Sequence, residues 1–445
     1  MRRSIISKLV TVALTVIITL AFTAGVLAFK DSRRVPPGTM VGDINISELT
    51  YTQAQARLAK ALPLDQAQSL NLRQGDKTVP VTVQELEIAA DIESTLEQVR
   101  DTNGLFTSVA NRGGGTRQFS PIYKCNDKKL ALVVAQAAAT FDRAPVNARV
   151  YLDQETLKRA SEVAGFKTDN LALSRLIIEH LQRGNLQDIT VPGQKQQPAI
   201  TAEQLEPVRD MLAVYVTSFT PEPVNRAINI NLSAQRVNNT LLLPDKTLSL
   251  NQIVGERTAA NGFKPAPVYQ NGKTVDDLGG GLCQLASTLY NAVVAADLKV
   301  TERQPHSYPV DYVEPGQDAT VAWDQHDLKF INTTGSPVLV TARSQAGKLQ
   351  VRIYGQAIDP GKEIKLVTQK KTIAPEVNII TNKRLTGGKQ VIQQKGSPGY
   401  EAITYRVETK NGKEVSRTQV STDTYQSRPW IIEVAPGQKP RPGAK

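Results

Sequence analysis

The hydrophobic pattern of this chain changes period several times along its length. Leu9–Phe29 is an uncharged, mostly apolar run; as a helix rising ~1.5 Å per residue it would span about 31 Å, close to the hydrocarbon thickness of a bilayer. The run predicts a single membrane-spanning helix entered from the basic start Arg2, Arg3 and Lys8. Val26-Leu27-Ala28 offers the alternative of a cleaved signal peptide. No later run is apolar enough to cross, so the remainder is expected outside the cytoplasm.

Val35-Pro36-Pro37-Gly38 reads as a linker. From Val41 to about Pro207 strand-like stretches alternate with helices. Their starts are marked by a hydroxyl with Gln or Glu three residues on: Thr52 with Gln55, Ser94 with Glu97, Thr201 with Gln204. Glu85–Val99 and Val163–Leu181 share a scheme, a strand end and an aspartate (Asp91, Asp169) leading into an amphipathic helix, which marks a candidate internal duplication. Gly113-Gly114-Gly115, beside Arg112 and Arg117, reads as a solvated loop. From Asn225 the alternation of Ile228, Ile230 and Leu232 predicts a strand, ending before Pro244-Asp245. Asn271-Gly272, Ala346-Gly347 and Asn411-Gly412 sit between alternating runs and predict hairpins. After Gly355 the chain is lysine-rich and thin in large apolar residues, as in an extended β module. The Pro, Gly and Lys tail is expected to be disordered.

Composition narrows the classes. With 445 residues, 40% hydrophobic and 21% charged, the chain is a globular protein of several domains, neither mainly disordered nor polytopic. The net charge of +11 is concentrated at the ends. Residues 1–34 hold six basic side chains and one acid, and residues 362–445 hold sixteen and seven. The middle is left slightly acidic, which gives no support to a nucleic-acid groove. Two cysteines, Cys125 and Cys283, exclude a disulfide scaffold or a cysteine-rich zinc module.

The stretch that carries chemistry is Gly279-Gly280-Gly281-Leu282-Cys283-Gln284. Leu282, Leu285, Leu289 and Val293 recur at helical spacing. Cys283 therefore falls in the first turn of a helix, where unpaired amides and the helix dipole favour thiolate. His306 follows on a neighbouring strand-like run. A thiol at a helix start with an imidazole beside it is the arrangement of a nucleophile and its base, and Asp318 is the candidate carboxylate to orient His306. The structural alternative makes Cys283 a small buried hydrophobe. A non-covalent alternative uses Gly279, Gly280, Gly281, Gln284 and the helix-start amides to hold a carboxylate or phosphate. Arg257 either makes a structural contact with Glu256 or holds substrate. No Gly-Lys-Ser/Thr follows, so a nucleotide P-loop is unsupported. His326 reads as a surface residue. Cys283, His306 and His326 lack the short paired spacing of a zinc site, and neither metal nor cofactor is expected. A Cys125–Cys283 disulfide would abolish the nucleophile.

Several motifs in order carry a family resemblance. Asn251–Thr258, Asn261–Tyr269, Gly279–Ala292, Thr301–Arg303 with His306-Ser307, Gly316–Val321 and Asp327–Asn332 together resemble the VanW domain over residues 214–355. Ala286 departs from it where the family often has Ser, which argues against an essential hydroxyl there. Val41–Ile44 with Thr52–Leu58 resembles the peptidoglycan-binding domain often found before VanW domains. The segment from about 365 to 436, with Gly388, Gly396, Gly399, Gly412 and Gly437, is similar to the five-glycine (G5) module of bacterial surface proteins.

The resemblance implies a bacterial cell-envelope protein facing the wall. The expected fold class is α+β multidomain: a single amino-terminal transmembrane helix (1–34), a mixed α/β wall-binding region (35–207), a β-rich VanW domain (214–355), an extended all-β module (362–437) and a disordered tail (438–445). The expected protein is a single-pass cell-membrane protein, extracytoplasmic in bulk, that binds peptidoglycan or a wall precursor and has anionic wall polymers as further candidate partners. Nucleic acid is not expected as a partner. The alternative function is a thiol-dependent peptidase or transpeptidase-like enzyme acting through Cys283 and His306.

Overall fold

The computed structural model describes residues 34–101, 116–270, 273–386 and 389–439. The run Leu9–Phe29, the Gly113–Gly115 loop, Gly388 and the tail from residue 440 lie outside the described residues. The α+β expectation with one transmembrane helix is corrected. The described chain is β-rich and multidomain, and no helix among the described residues is long and apolar enough to cross a membrane. The physical reason is the length of its elements. Helices such as Asp127–Phe141 are short and bury one face, whereas paired strands such as Gly399–Lys410 and Lys413–Tyr425 carry much of the regular structure.

Two compact units divide the chain: residues up to Val146 with Val163–Pro198, and Asn147–Glu162 with Ala199 onward. In the first, one core gathers Leu70, Leu72, Leu86, Phe141, Leu173, Ile177 and Leu181 from short strands and the helices Asp127–Phe141 and Asn170–Gln182. A smaller core joins Val41, Ile46, Leu58 and Leu96. Two expected caps move. Helix Tyr51–Ala61 is capped by Thr50 with Gln53, because that pair satisfies the first orphan amides two residues earlier than Thr52 could. Helix Ile92–Asp101 begins at Asp91, whose carboxylate accepts from the amide of Ser94. Asp169 caps Asn170–Gln182 in the same way, through Ala172. The Thr201–Gln204 box is found.

The second unit is organised around the buried helix Leu282–Ala295. It packs with a four-stranded antiparallel sheet in the order Asp210–Ser218, Lys348–Gly355, Val338–Gln345, Thr240–Leu242. The expected strand from Asn225 is instead the helix Val224–Val237. Its buried stripe is Asn229, Ile230, Ser233, Ala234 and Val237; three alternating apolar residues were too short a sample to separate period 2 from a helix face. A three-stranded sheet with Lys329–Ile331 between Thr247–Ser249 and Lys299–Glu302 lies in the same unit. The terminal module follows as two three-stranded sheets: Lys362–Ile373, Gly399–Lys410, Lys413–Tyr425, and Val377–Thr381, Trp430–Val434, Gln390–Gln394. Ile364 and Leu366 at its start join the core around the buried helix.

Candidate active site

The site begins with a helix that is buried nearly all round yet carries a polar seam at helical spacing: Gln284, Ser287, Thr288 and Asn291. Every one of them is bonded. Gln284 donates to Thr217 Oγ1 (2.9 Å) and the Ser218 carbonyl (3.0 Å), and accepts from Arg226 (2.7 Å). Thr288 meets Thr217 at 2.8 Å. The other side of the seam grips the segment 317–321. Asn291 donates to the Gln317 carbonyl (2.7 Å), Ser287 bonds both the amide (2.9 Å) and the carbonyl (3.2 Å) of Ala319, and the Cys283 thiol lies 3.4 Å from Thr320 Oγ1 and 3.7 Å from the Val321 carbonyl. Steps of four along a helix advance about 6 Å, nearly the ~6.6 Å advance of two residues of extended chain, so the two run in register.

A single antiparallel bridge then aligns the histidine. Gln304 pairs with Thr320, which in an antiparallel register sets His306 opposite Asp318. Asp318 Oδ2 accepts from His306 Nδ1 at 2.5 Å and from the His306 amide at 2.7 Å. Asp318 is 1% exposed in its side chain and His306 17%. With Nδ1 engaged, Nε2 is the ring atom left for the thiol. Burial opposes charge on Cys283, yet hydrogen bonding to His306, its positive charge, and the bonds to Thr320 and Val321 lower the thiol to about 7. Burial likewise opposes charge on His306, and the bonds to Asp318 and Cys283 outweigh it, raising the imidazole to about 9. Asp318 is held below the usual carboxylate range: burial would raise it, but His306, Arg303 and Tyr425 lower it more. Both shifts run toward a thiolate–imidazolium pair, the charge state in which a thiol nucleophile has its proton already on the acid.

The glycine run fixes where the thiol stands. Gly281, with φ of +105°, starts the helix, and a Cβ there would lie 2.8 Å from Ile230 Cγ1. At Gly280 a Cβ would lie 2.8 Å from the Ala266 carbonyl oxygen, and at Gly279 2.7 Å from Arg257 Cγ. Arg257 donates to Asn251 Oδ1 at 2.5 Å and lies over the Trp323 ring at 5.7 Å, while its Nη1 is buried with no hydrogen-bond partner among the described residues. Burial pushes Arg257 down, offset in part by the charges of Cys283 and Asp327.

Cys283, His306 and Asp318 are thus brought together, with Arg257 within electrostatic range of the thiol. Gln284 is buried among Thr217, Ser218 and Arg226. His326 is exposed. Cys125 and Cys283 are both free thiols. Sequence reasoning passed over Thr320, Ser287, Arg303, Tyr425 and Asp423. The spacing of Asp318 and Thr320, two apart and so on one face of an extended segment, was a usable signal for Thr320.

The family models match in the order the motifs suggested: "Putative peptidoglycan binding domain" at residues 79–190, "VanW like protein" at 225–354 and "G5 domain" at 364–436. Residues 225–354 are thus a VanW-like domain, lying between the other two matches. It is 36% identical over 191 residues to "Uncharacterized protein YoaR" of Bacillus subtilis, covering 43% of this chain and 63% of that one. It is 29% identical over 116 residues to "Vancomycin B-type resistance protein VanW" of Enterococcus faecalis, covering 25% and 42%. The chain therefore spans under two thirds of the length of either relative. The solved "IgA1 Protease G5 domain structure" is 28% identical, covering 17% of this chain and 92% of that one, at a TM-score of 0.14. The VanW, peptidoglycan-binding and G5 matches together suggest a cell-wall-associated, extracytoplasmic protein.

Proposed function

We propose that this VanW-family protein is a thiol-dependent acyl-transfer enzyme acting on peptidoglycan peptides. The observation that carries the reading is the buried Asp318 carboxylate 2.5 Å from His306 Nδ1, beside a thiol lowered to about 7. The Cys283 thiolate attacks a peptide acyl carbon, and the leaving amine takes the proton of the His306 imidazolium. A thioester results. His306, now neutral, accepts the proton of an incoming water or amine, which attacks the thioester and releases Cys283. Water gives a peptidase, an amine a transpeptidase. The Leu282 and Gln284 amides donate to the Gly279 and Gly281 carbonyls, so the Cys283 amide between them is the helix-start donor that would stabilise the oxyanion. The unpartnered buried Nη1 of Arg257 supports a role in holding a substrate carboxylate.

Within the same reading, the peptidoglycan-binding match at 79–190 supports retention on the wall, and the basic terminal module supports contact with anionic wall polymers. The test incubates the full exported chain and its Cys283→Ala variant with purified muropeptides, followed by intact-protein mass spectrometry and muropeptide analysis. The expected result is altered muropeptides and a Cys283 thioester, both lost in Cys283→Ala. Unaltered muropeptides with equal wall binding by both proteins would overturn catalysis in favour of a binding module.

A further inference from the structure

We propose that the terminal G5 module is part of the catalytic site: Tyr425 and Asp423, on its strand Lys413–Tyr425, are positioning residues that orient Asp318 and Arg303 behind His306. The inference rests on the acyl-transfer reading.

An ionised carboxylate offers about four acceptor positions. Asp318 Oδ2 uses two for the ring and amide of His306. Oδ1 takes Arg303 Nη2 at 3.1 Å and the Tyr425 hydroxyl. Tyr425 is completely buried, and its oxygen also accepts the Gly316 amide at 2.6 Å. Burial and the Asp318 charge push the Tyr425 hydroxyl far up, so it remains a donor throughout the working pH range. Asp423 stands two residues earlier and so on the same strand face. It accepts from Arg303 Nη1 at 2.7 Å and from Ser421 Oγ at 2.8 Å. Arg303, 8% exposed in its side chain, is held between Asp318 and Asp423 and lies over the Tyr290 ring of the site helix. The Gln426 amide donates to the Ser307 carbonyl at 2.8 Å, tying the residue after His306 to the same strand end.

The approach of the module depends on a missing side chain. A Cβ at Gly316, where φ is +88°, would lie 2.0 Å from Thr404 Oγ1 of the module. Around His306 and its carboxylate partner, then, Cys283, Asp318 and Arg303 come from the VanW domain, while Tyr425 on Asp318 and Asp423 on Arg303 come from the G5 module. A module that served only to bind polymer would have no need to satisfy the carboxylate on which the imidazolium depends.

The test uses the full chain with Tyr425→Phe, which keeps the ring and removes the donor, and Asp423→Asn. The readout is the pH dependence of iodoacetamide modification at Cys283, followed by peptide mapping to separate it from Cys125, with circular dichroism as the folding control. Without Tyr425 Oη or the Asp423 charge, Asp318 turns toward Arg303 and stabilises the imidazolium less. The thiolate midpoint is expected to rise by about one unit in each folded variant, slowing modification at pH 7 roughly five-fold. If the unaltered protein titrates near 7 and both variants match it, the positioning role is overturned and the acyl-transfer reading stands. If the unaltered protein itself titrates as an ordinary thiol, both are overturned. Should Tyr425→Phe fail to fold, Asp423→Asn alone decides by the same criterion.

Discussion

Ser287 Oγ accepts the Ala319 amide at 2.9 Å and donates to the Ala319 carbonyl at 3.2 Å, so one hydroxyl closes the helix that carries Cys283 onto the segment that carries Asp318. That single proton is shared with the Cys283 carbonyl one turn back, at 2.9 Å. Ser287→Ala would leave the buried Ala319 amide unsatisfied, which costs about 1–3 kcal/mol. The expected outcome is a lower denaturation midpoint together with slower Cys283 modification at neutral pH. Normal thiol reactivity in a destabilised variant would mean that Ser287 holds the core but does not set the site.

The charge state of the pair gives a pH profile. Thiolate accumulates as pH rises through about 7, the value of Cys283. On the acyl-transfer reading the imidazolium would protonate the leaving amine, and it is lost as pH rises through about 9, the value of His306. Because the two groups interact, these are properties of the pair. Muropeptide turnover should therefore be bell-shaped with a plateau between those limits, whereas alkylation of Cys283 should rise once and stay high. Cys125, raised by burial and by the Asp127 charge, should label far more slowly at pH 7. Equal labelling of the two cysteines at that pH would contradict the activated thiol.

How much of this was legible in the chain depends on distance along it. Cys283 stands out because a glycine run and a heptad-like leucine pattern announce a helix start within a few residues. His306 and Asp318 are twelve apart, and the bridge of Gln304 to Thr320 that sets them opposite each other has no local signature. Tyr425 lies 107 residues from Asp318. A carboxylate partner that far away depends on how two domains pack, which periodicity does not encode. Val224–Val237 was misread for the opposite reason: its Asn229 and Ser233 are polar yet buried. The Asn229 amide holds the Lys264 and Gly280 carbonyls, and Ser233 bonds back to Asn229, so polarity hid the buried face.

Gly281 and Gly335 allow packing to be separated from backbone conformation. Both have positive φ, +105° and +74°, but a Cβ meets Ile230 at 2.8 Å in the first and nothing within 4 Å in the second. Gly335→Ala should cost about 1 kcal/mol from conformation alone. Gly281→Ala should cost clearly more, since Ile230 is fully buried and its helix must move away. Thermal midpoints of the two variants check this. Similar shifts would mean that the close approach at Gly281 relaxes freely.

Arg257 is expected to act on substrate binding in addition to its charge interaction with the thiol. Among the described residues its buried Nη1 has no hydrogen-bond partner, whereas Nη2 is fixed by Asn251. A muropeptide carboxylate placed there would gain a charge-assisted bond, typically about 1.5–3 kcal/mol, or roughly ten- to a hundred-fold in affinity. Arg257→Gln should raise KM for muropeptides bearing a free carboxylate by about that factor and leave carboxyl-amidated peptides nearly unaffected. A uniform loss on both substrates would assign Arg257 to the scaffold.

The terminal module should give wall binding a salt dependence. Residues 362–445 hold sixteen basic and seven acidic side chains. Several of the cations are already committed, Lys362 to Asp297, Lys370 to Glu314 and Lys410 to Asp359. Lys383, Arg384, Lys395 and Lys413 are exposed and present their charge to solvent, where a polyanion can meet it. Exposed charges are screened as the Debye length falls from ~8 Å at physiological salt to ~3 Å at 1 M. Co-sedimentation with isolated walls should weaken over that range. Substituting these four residues with Gln should weaken it at low salt while changing little at high salt. Retention that ignores both salt and substitution would place wall contact away from these four cations.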